Sequence, residues 1–108
     1  MRVLVTGSES FIGKTLISQL QSMGHEIIGF DSLEPTNPSY EFHQIDIRNS
    51  EINKLIPRDT DVLIHLAALS RDSDCKNKAI ECFDVNVMGT LNLIKAAQLQ
   101  NVKQFIFA

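Results

Sequence analysis

The residues best suited to chemistry are Gly7-Ser8-Glu9-Ser10-Phe11-Ile12-Gly13, which join an apolar run to an amphipathic one. Such a segment must turn sharply and open a helix. The unpaired N–H groups of a helix's first turn, together with its dipole, attract an anion, and small side chains let a phosphate reach them. A glycine-bearing turn also arises for steric reasons alone, so its weight depends on what accompanies it. Asp31 ends the next apolar run, 18 residues beyond Gly13, close to the roughly 20 expected of a carboxylate that accepts both hydroxyls of a ribose. An acid there would repel a 2′-phosphate, so the pair of features points to NAD over NADP. The competing reading of Asp31 is a turn former ahead of the loop containing Pro35 and Pro38.

Other chemistries fit less well. Ser8 to Thr15 approaches a GxxxxGK[ST] phosphate loop, but Ser8 stands where glycine is required and Phe11-Ile12 would crowd the ring of N–H groups. The apolar run from Asp61 also meets His65 where a magnesium-holding carboxylate would belong. His25, His43 and His65 fall on three different predicted strands, and neither cysteine has metal-ligand spacing to them, so no metal site is expected. His65, on a buried strand, is expected to make a structural hydrogen bond. Cys75 and Cys82 read as two positions on one helix, about 10 Å apart and too far for a disulfide. They are therefore expected to be reduced thiols of a cytoplasmic protein.

The elements that must position these residues follow from an alternation of short apolar and longer amphipathic runs, the pattern of a parallel sheet with helical crossovers. Strands are expected at Arg2–Thr6, His25–Asp31, Tyr40–Asp46, Asp61–Leu66 and Lys103–Phe107. A first helix follows Gly13, with Ile12, Leu16, Leu20 and Met23 as its apolar stripe and Gly24 beyond its end. Ser50 is expected to cap a short helix carrying Ile52, Leu55 and Ile56, which Pro57 ends. A long helix over Lys76–Gln100 carries Ile80, Phe83, Val87, Leu91 and Ile94 on one stripe, and Gly89 within it suggests close packing. The 108 residues suit one small domain, with 44% hydrophobic and 21% charged residues and a formal net charge of −3. No basic cluster is present, so nucleic acid is an unpromising partner. No apolar run approaches the roughly 20 residues of a membrane span, and no signal peptide precedes the first strand.

Four segments together resemble the extended short-chain dehydrogenase/reductase family, the NAD-dependent epimerases and dehydratases of sugar nucleotides. They are Thr6-Gly7 through Phe11-Ile12-Gly13, the strand end at Asp31, "HLAA" at His65–Ala68, and "NVMGTLNLIKAA" at Asn86–Ala97. The resemblance covers the whole chain. It implies that Phe11 and Ile12 offer backbone N–H groups to the pyrophosphate and that Asp46 and Ile47 flank the adenine. Leu66, Ala67 and Ala68 would line the nicotinamide side, and Asn86 would lie near the active site. Gly7, Gly13 and Ser10 would form the phosphate turn. Ser10 replaces the family's middle glycine, and its hydroxyl could donate a compensating bond or its bulk could hold the dinucleotide away. The Ser/Thr, Tyr and Lys of the family's chemistry are missing. The only tyrosine, Tyr40, is followed by Gln44 where lysine would be needed.

The resulting expectation is a Rossmann-type doubly wound parallel sheet ordered 3-2-1-4-5, with residues 1–108 as the NAD-binding part, ending after the fifth strand. The substrate half and the triad are expected beyond Ala108. The implied parent is an NAD-dependent epimerase or dehydratase of a nucleotide-activated sugar. Two alternatives stay open, a non-enzymatic NAD(P)-sensing module and a flavodoxin-like scaffold, and a homo-oligomer is compatible with either.

Overall fold

The computed structural model describes residues 1–68 and 75–108. Five strands, β1 (Arg2–Thr6), β2 (Glu26–Asp31), β3 (Glu41–Gln44), β4 (Val62–His65) and β5 (Gln104–Phe107), form one sheet in the order β3-β2-β1-β4-β5. All four pairings are parallel. Helix α1 (Phe11–Ser22) makes the first crossover, and a 3-10 turn at Ile52–Leu55 lies between β3 and β4. Helix α2 (Ala79–Phe83), a π-helical turn (Asp84–Gly89) and helix α3 (Thr90–Leu99) run head to tail before β5.

The strands are short and continuously apolar because both faces are covered. Val3, Val5, Ile27 and Val62 pack with Ile17 of α1 on one face. Leu4, Ile28, Phe30 and Leu63 pack with Leu93, Ala96 and Ala97 of α3 and with Ile47, Ile52 and Ile56 on the other. Side chains alternate across the sheet, so Thr6 and His65, which are register partners, share the α3 face. Gly89 is buried, and a Cβ there would come within 2.8 Å of Ile47. This glycine lets the crossover lie directly on the cleft wall.

Five sequence expectations are corrected. The long helix over 76–100 is interrupted: Asn77 has φ 60°, α2 starts only at Ala79, and a π turn separates it from α3. As a result Cys75 and Cys82 are not two turns apart on one helix. Their Cα atoms are 5.6 Å apart and the two sulfurs are bonded, which removes the argument for reduced thiols. Nor do the large side chains of the expected stripe face the sheet. Ile80, Phe83, Val87, Leu91 and Ile94 are exposed, whereas Cys82, Gly89, Thr90, Leu93, Ala96 and Ala97 are buried. In α1, likewise, Ile12 and Met23 are exposed while Gly13 and Ile17 are buried. Ser50 caps nothing in the 3-10 turn; the Asn49 side chain instead accepts from the Glu51 N–H.

The disulfide carries a stability prediction. Closing a loop of this size removes unfolded-state entropy equivalent to about 2 kcal/mol. Reduction should therefore lower the melting temperature by about 8 °C, at about 4 °C per kcal/mol for a domain of this length. Thiol titration of the unfolded, non-reduced protein should find no free thiol. Two reactive thiols there, or an unchanged melting point on reduction, would contradict the bond.

Candidate functional site

A cavity of about 400 Å³ opens at the carboxyl ends of the strands. Gly7, Ser10, Asp31, Asp46, Ile47, Leu66, Ala67 and Ala68 all line it, so eight of the twelve sequence-assigned positions converge on one cleft. Phe11, Ile12, Gly13 and Asn86 do not line it. The side chains of Phe11 and Ile12 are exposed at the start of α1, and Gly13 is buried against the Gly7 carbonyl. Asn86 lies half-buried in the π turn.

The turn after β1 is shaped by its glycine. Gly7 adopts φ 73°, its N–H donates to the Phe30 carbonyl at 2.8 Å, and a Cβ on it would lie 2.9 Å from the Ala67 nitrogen. The cleft therefore has backbone as its floor. Ser10 caps α1. Its hydroxyl donates to the Gly7 carbonyl at 2.7 Å and accepts from the Gly13 N–H at 3.0 Å. Both capacities of the hydroxyl are thereby used inside the turn. The first-turn amides of Phe11 and Ile12 remain as donors at the helix mouth, where an anion is favoured.

This geometry decides what Ser10 does to a phosphate. Replacing it by glycine should release the Gly13 N–H and open the approach. Ser10→Gly is expected to raise NAD affinity about 2- to 10-fold, the value of about 0.5–1.5 kcal/mol for one regained hydrogen bond. Helix stability should fall by only a few tenths of a kcal/mol, since glycine is a tolerable cap. Weaker binding measured by calorimetry would mean that the hydroxyl turns to the ligand.

Asp31 borders the cleft beside the phosphate turn. Its Oδ2 accepts from the Glu9 N–H at 2.8 Å and its Oδ1 from the Leu33 N–H at 2.9 Å. Each carboxylate oxygen has about two acceptor positions, so one on each stays available to a ligand's hydroxyl pair. The same two bonds tie the phosphate turn to the loop after β2. Asp46 is engaged differently. It forms an Asx turn, accepting from the Arg48 N–H, and pairs with the Arg48 guanidinium at 2.6 Å. That hydrogen-bonded cation holds its carboxyl below the ordinary carboxylate range. Arg48 also reaches Asp84 of the π turn at 3.3 Å, placing a planar cation on the wall beside Ile47.

Several lining residues were not singled out from the sequence: Arg48, Glu81 and Val85 among them. Only Arg48 carries a local signal, two residues after the strand-ending acid. Tyr40 does not line the cleft. Its hydroxyl donates to Glu9 at 2.7 Å, and burial together with that carboxylate pushes its pKa up to about 12. A general base needs the opposite shift. His65 makes two structural hydrogen bonds, and burial lowers its pKa. Among the described residues no cluster of three His, Cys, Asp or Glu converges on one point.

Comparison with known proteins places the chain in a family. A UDP-glucose 4-epimerase of Klebsiella pneumoniae is 35% identical over 122 residues, covering 100% of this chain and 88% of the relative. A 3 beta-hydroxysteroid dehydrogenase/Delta 5-->4-isomerase of Mycobacterium tuberculosis is 34% identical over 98% of the chain but only 30% of its own length. The crystal structure of UDP-glucose-4-epimerase from Stenotrophomonas maltophila, with bound NAD and formylated UDP-arabinopyranose, superposes with a TM-score of 0.88 at 30% identity. It matches 99% of this chain and 36% of the epimerase. The chain thus spans about a third of the length of several curated relatives, including 37% and 35% of two of them. With a family profile matching residues 3–108, the chain belongs to the NAD dependent epimerase/dehydratase family.

Proposed function

We propose that residues 1–108 form the NAD-holding part of an enzyme that epimerises, or by the same chemistry dehydrates, a nucleotide-activated sugar. The observation that carries this reading is the Asp31 carboxylate, which borders the cleft with one acceptor position left on each oxygen and is tied through the Glu9 N–H to the turn that carries the first-turn amides of α1. Those amides bind the pyrophosphate, Asp31 takes the adenosine ribose hydroxyls, and Asp46, Ile47 and Arg48 border the adenine. Leu66, Ala67 and Ala68 border the nicotinamide, and Asn86 acts from the π turn nearby. When bound there, NAD supplies a reversible hydride acceptor for a sugar carbon.

The proton-transfer groups of that reaction are not contributed by Tyr40, which is a neutral latch between β3 and the phosphate turn. We assign the sugar-binding surface to residues outside this chain. No observation favours the regulatory NAD(P)-sensing alternative, and a scaffold domain would leave the ligand-facing acceptors of Asp31 unexplained. Among the described residues no helix is long and apolar enough to cross a membrane. Calorimetric titration tests the reading. NAD should bind with one site per chain and NADP more weakly, while absence of NAD binding or a preference for NADP would overturn it.

A further inference from the structure

His65 sits between two threonines on the α3 face of the sheet. Its Nδ1 lies 2.7 Å from Thr6 Oγ1 and its Nε2 lies 2.8 Å from Thr90 Oγ1. Proton counting gives the direction of both bonds. Thr90 Oγ1 spends its one proton on the Asn86 carbonyl, and Thr6 Oγ1 accepts from the Ala67 N–H at 3.2 Å and shares the Leu66 N–H, at 3.1 Å, with the Thr6 carbonyl. A hydroxyl has two acceptor positions and one proton, so the Thr6 proton goes to Nδ1. The ring is then neutral with its proton on Nε2, and that proton goes to Thr90 Oγ1. Thr90 in turn donates to the Asn86 carbonyl at 2.8 Å, inside the π turn.

The result is a one-way relay, Thr6 to His65 to Thr90 to Asn86. At one end stand the two amides of the loop after β4, and at the other the turn that interrupts the α2–α3 crossover. Every member is fixed by the register of β1 with β4 and by α3 crossing over them. Among the described residues the imidazole meets Thr6 from β1, Thr90 from α3, and Phe105 and Phe107 from β5, none of which carries a charge. Burial in that shell disfavours the imidazolium. A charged ring would also put a second proton on Nδ1 against an oxygen that already faces the Leu66 and Ala67 N–H groups.

We propose that His65, held as the Nε2–H tautomer, is a positioning residue that sets the Leu66–Ala68 side of the cofactor cleft by coupling it to the π turn through Thr90. The cofactor part of this inference rests on the NAD-binding reading, whereas the coupling itself does not. Thr90 is outside the cleft lining, so its replacement tests the relay without touching ligand.

The test uses the protein labelled with ¹⁵N, together with Thr90→Val, Thr90→Ser and His65→Gln. In the unmodified protein the His65 ring nitrogens should give the Nε2–H pattern at neutral pH. Thr90→Val keeps the side-chain shape and removes the acceptor. It should shift the Leu66 and Ala67 amide resonances and weaken NAD binding about 5- to 10-fold. Thr90→Ser and His65→Gln, which retain an acceptor and a donor respectively, should restore affinity to within about twofold. An Nδ1–H tautomer would overturn the proposal, as would Thr90→Val amides and NAD affinity that match the unmodified protein. If the unmodified protein fails to bind NAD, the proposed function falls, while the tautomer and the amide shifts still decide whether the relay sets the loop.

Discussion

Asp31→Ala is expected to weaken NAD binding about 100-fold and to leave NADP binding unchanged or improved. One hydrogen bond to a charged acceptor is worth about 1.5–3 kcal/mol, and 1.4 kcal/mol is a factor of ten. Two ribose hydroxyls meet the carboxylate, and both interactions disappear together. The loss is tempered because alanine also frees the Glu9 and Leu33 amides that Asp31 now holds, and these can turn to the ligand. For NADP the account reverses. The 2′-phosphate no longer faces a carboxylate, and the two released N–H groups offer it donors. Calorimetry with both dinucleotides measures the ratio directly. An unaltered preference would show that Asp31 acts only as a brace between the phosphate turn and the loop after β2. Asp31→Asn separates the two roles, since it retains an acceptor for one amide while removing the charge.

A large effect on folding is expected from Gly7→Ala. A left-handed backbone costs an L-residue about 1–2 kcal/mol. The added methyl would also meet the Ala67 nitrogen at 2.9 Å and the Leu66 carbonyl carbon at 3.0 Å. Both neighbours are backbone atoms and cannot swing aside as a side-chain tip would, so overpacking adds about 1–3 kcal/mol. The sum of about 3 kcal/mol corresponds to a melting temperature lower by more than about 10 °C. Gly24→Ala is the control. Gly24 has φ 87° but no atom within 4 Å of an added Cβ, so it should show the backbone cost alone, about 1 kcal/mol. Equal destabilisation by the two substitutions would mean that the 66–68 loop yields freely and that the cleft floor is softer than the contacts indicate.

How far the sequence could be read depended on what each residue packs against. The five strands and their order were legible because a strand covered on both faces is a short apolar run, and alternation with crossovers leaves few topologies. The phosphate turn and Asp31 were legible because Gly7 and a strand-ending acid answer local geometry. The crossover from 79 to 99 was misread for a physical reason. Its buried face is made mostly by small residues, Gly89, Ala96 and Ala97, with Leu93 the one large aliphatic among them, while Ile80, Phe83, Val87, Leu91 and Ile94 stay outside. A periodicity weighted by hydrophobic size selects the wrong face under those conditions, and a π turn rotates the face again partway along. The cysteine pair was misread through the same error, since the spacing argument assumed an unbroken helix. Glu81 and Val85 join the cleft from a segment whose meeting with it depends on the whole fold. Nothing within their own neighbourhoods announces it.

The all-parallel register has a consequence for the protein's synthesis. Strand β1 gains its β2 neighbour once Asp31 has been made, but its other edge waits for β4, which is complete only at His65, 34 residues later. At translation rates of about 5–20 residues per second, that interval is roughly 2 to 7 s. Throughout it the central strand presents an unpaired row of N–H and C=O groups beside the apolar side chains of Val3, Leu4 and Val5, the kind of edge that recruits a strand from another chain. The period of greatest hazard for this molecule therefore falls on the ribosome, while its central strand is paired on one side only.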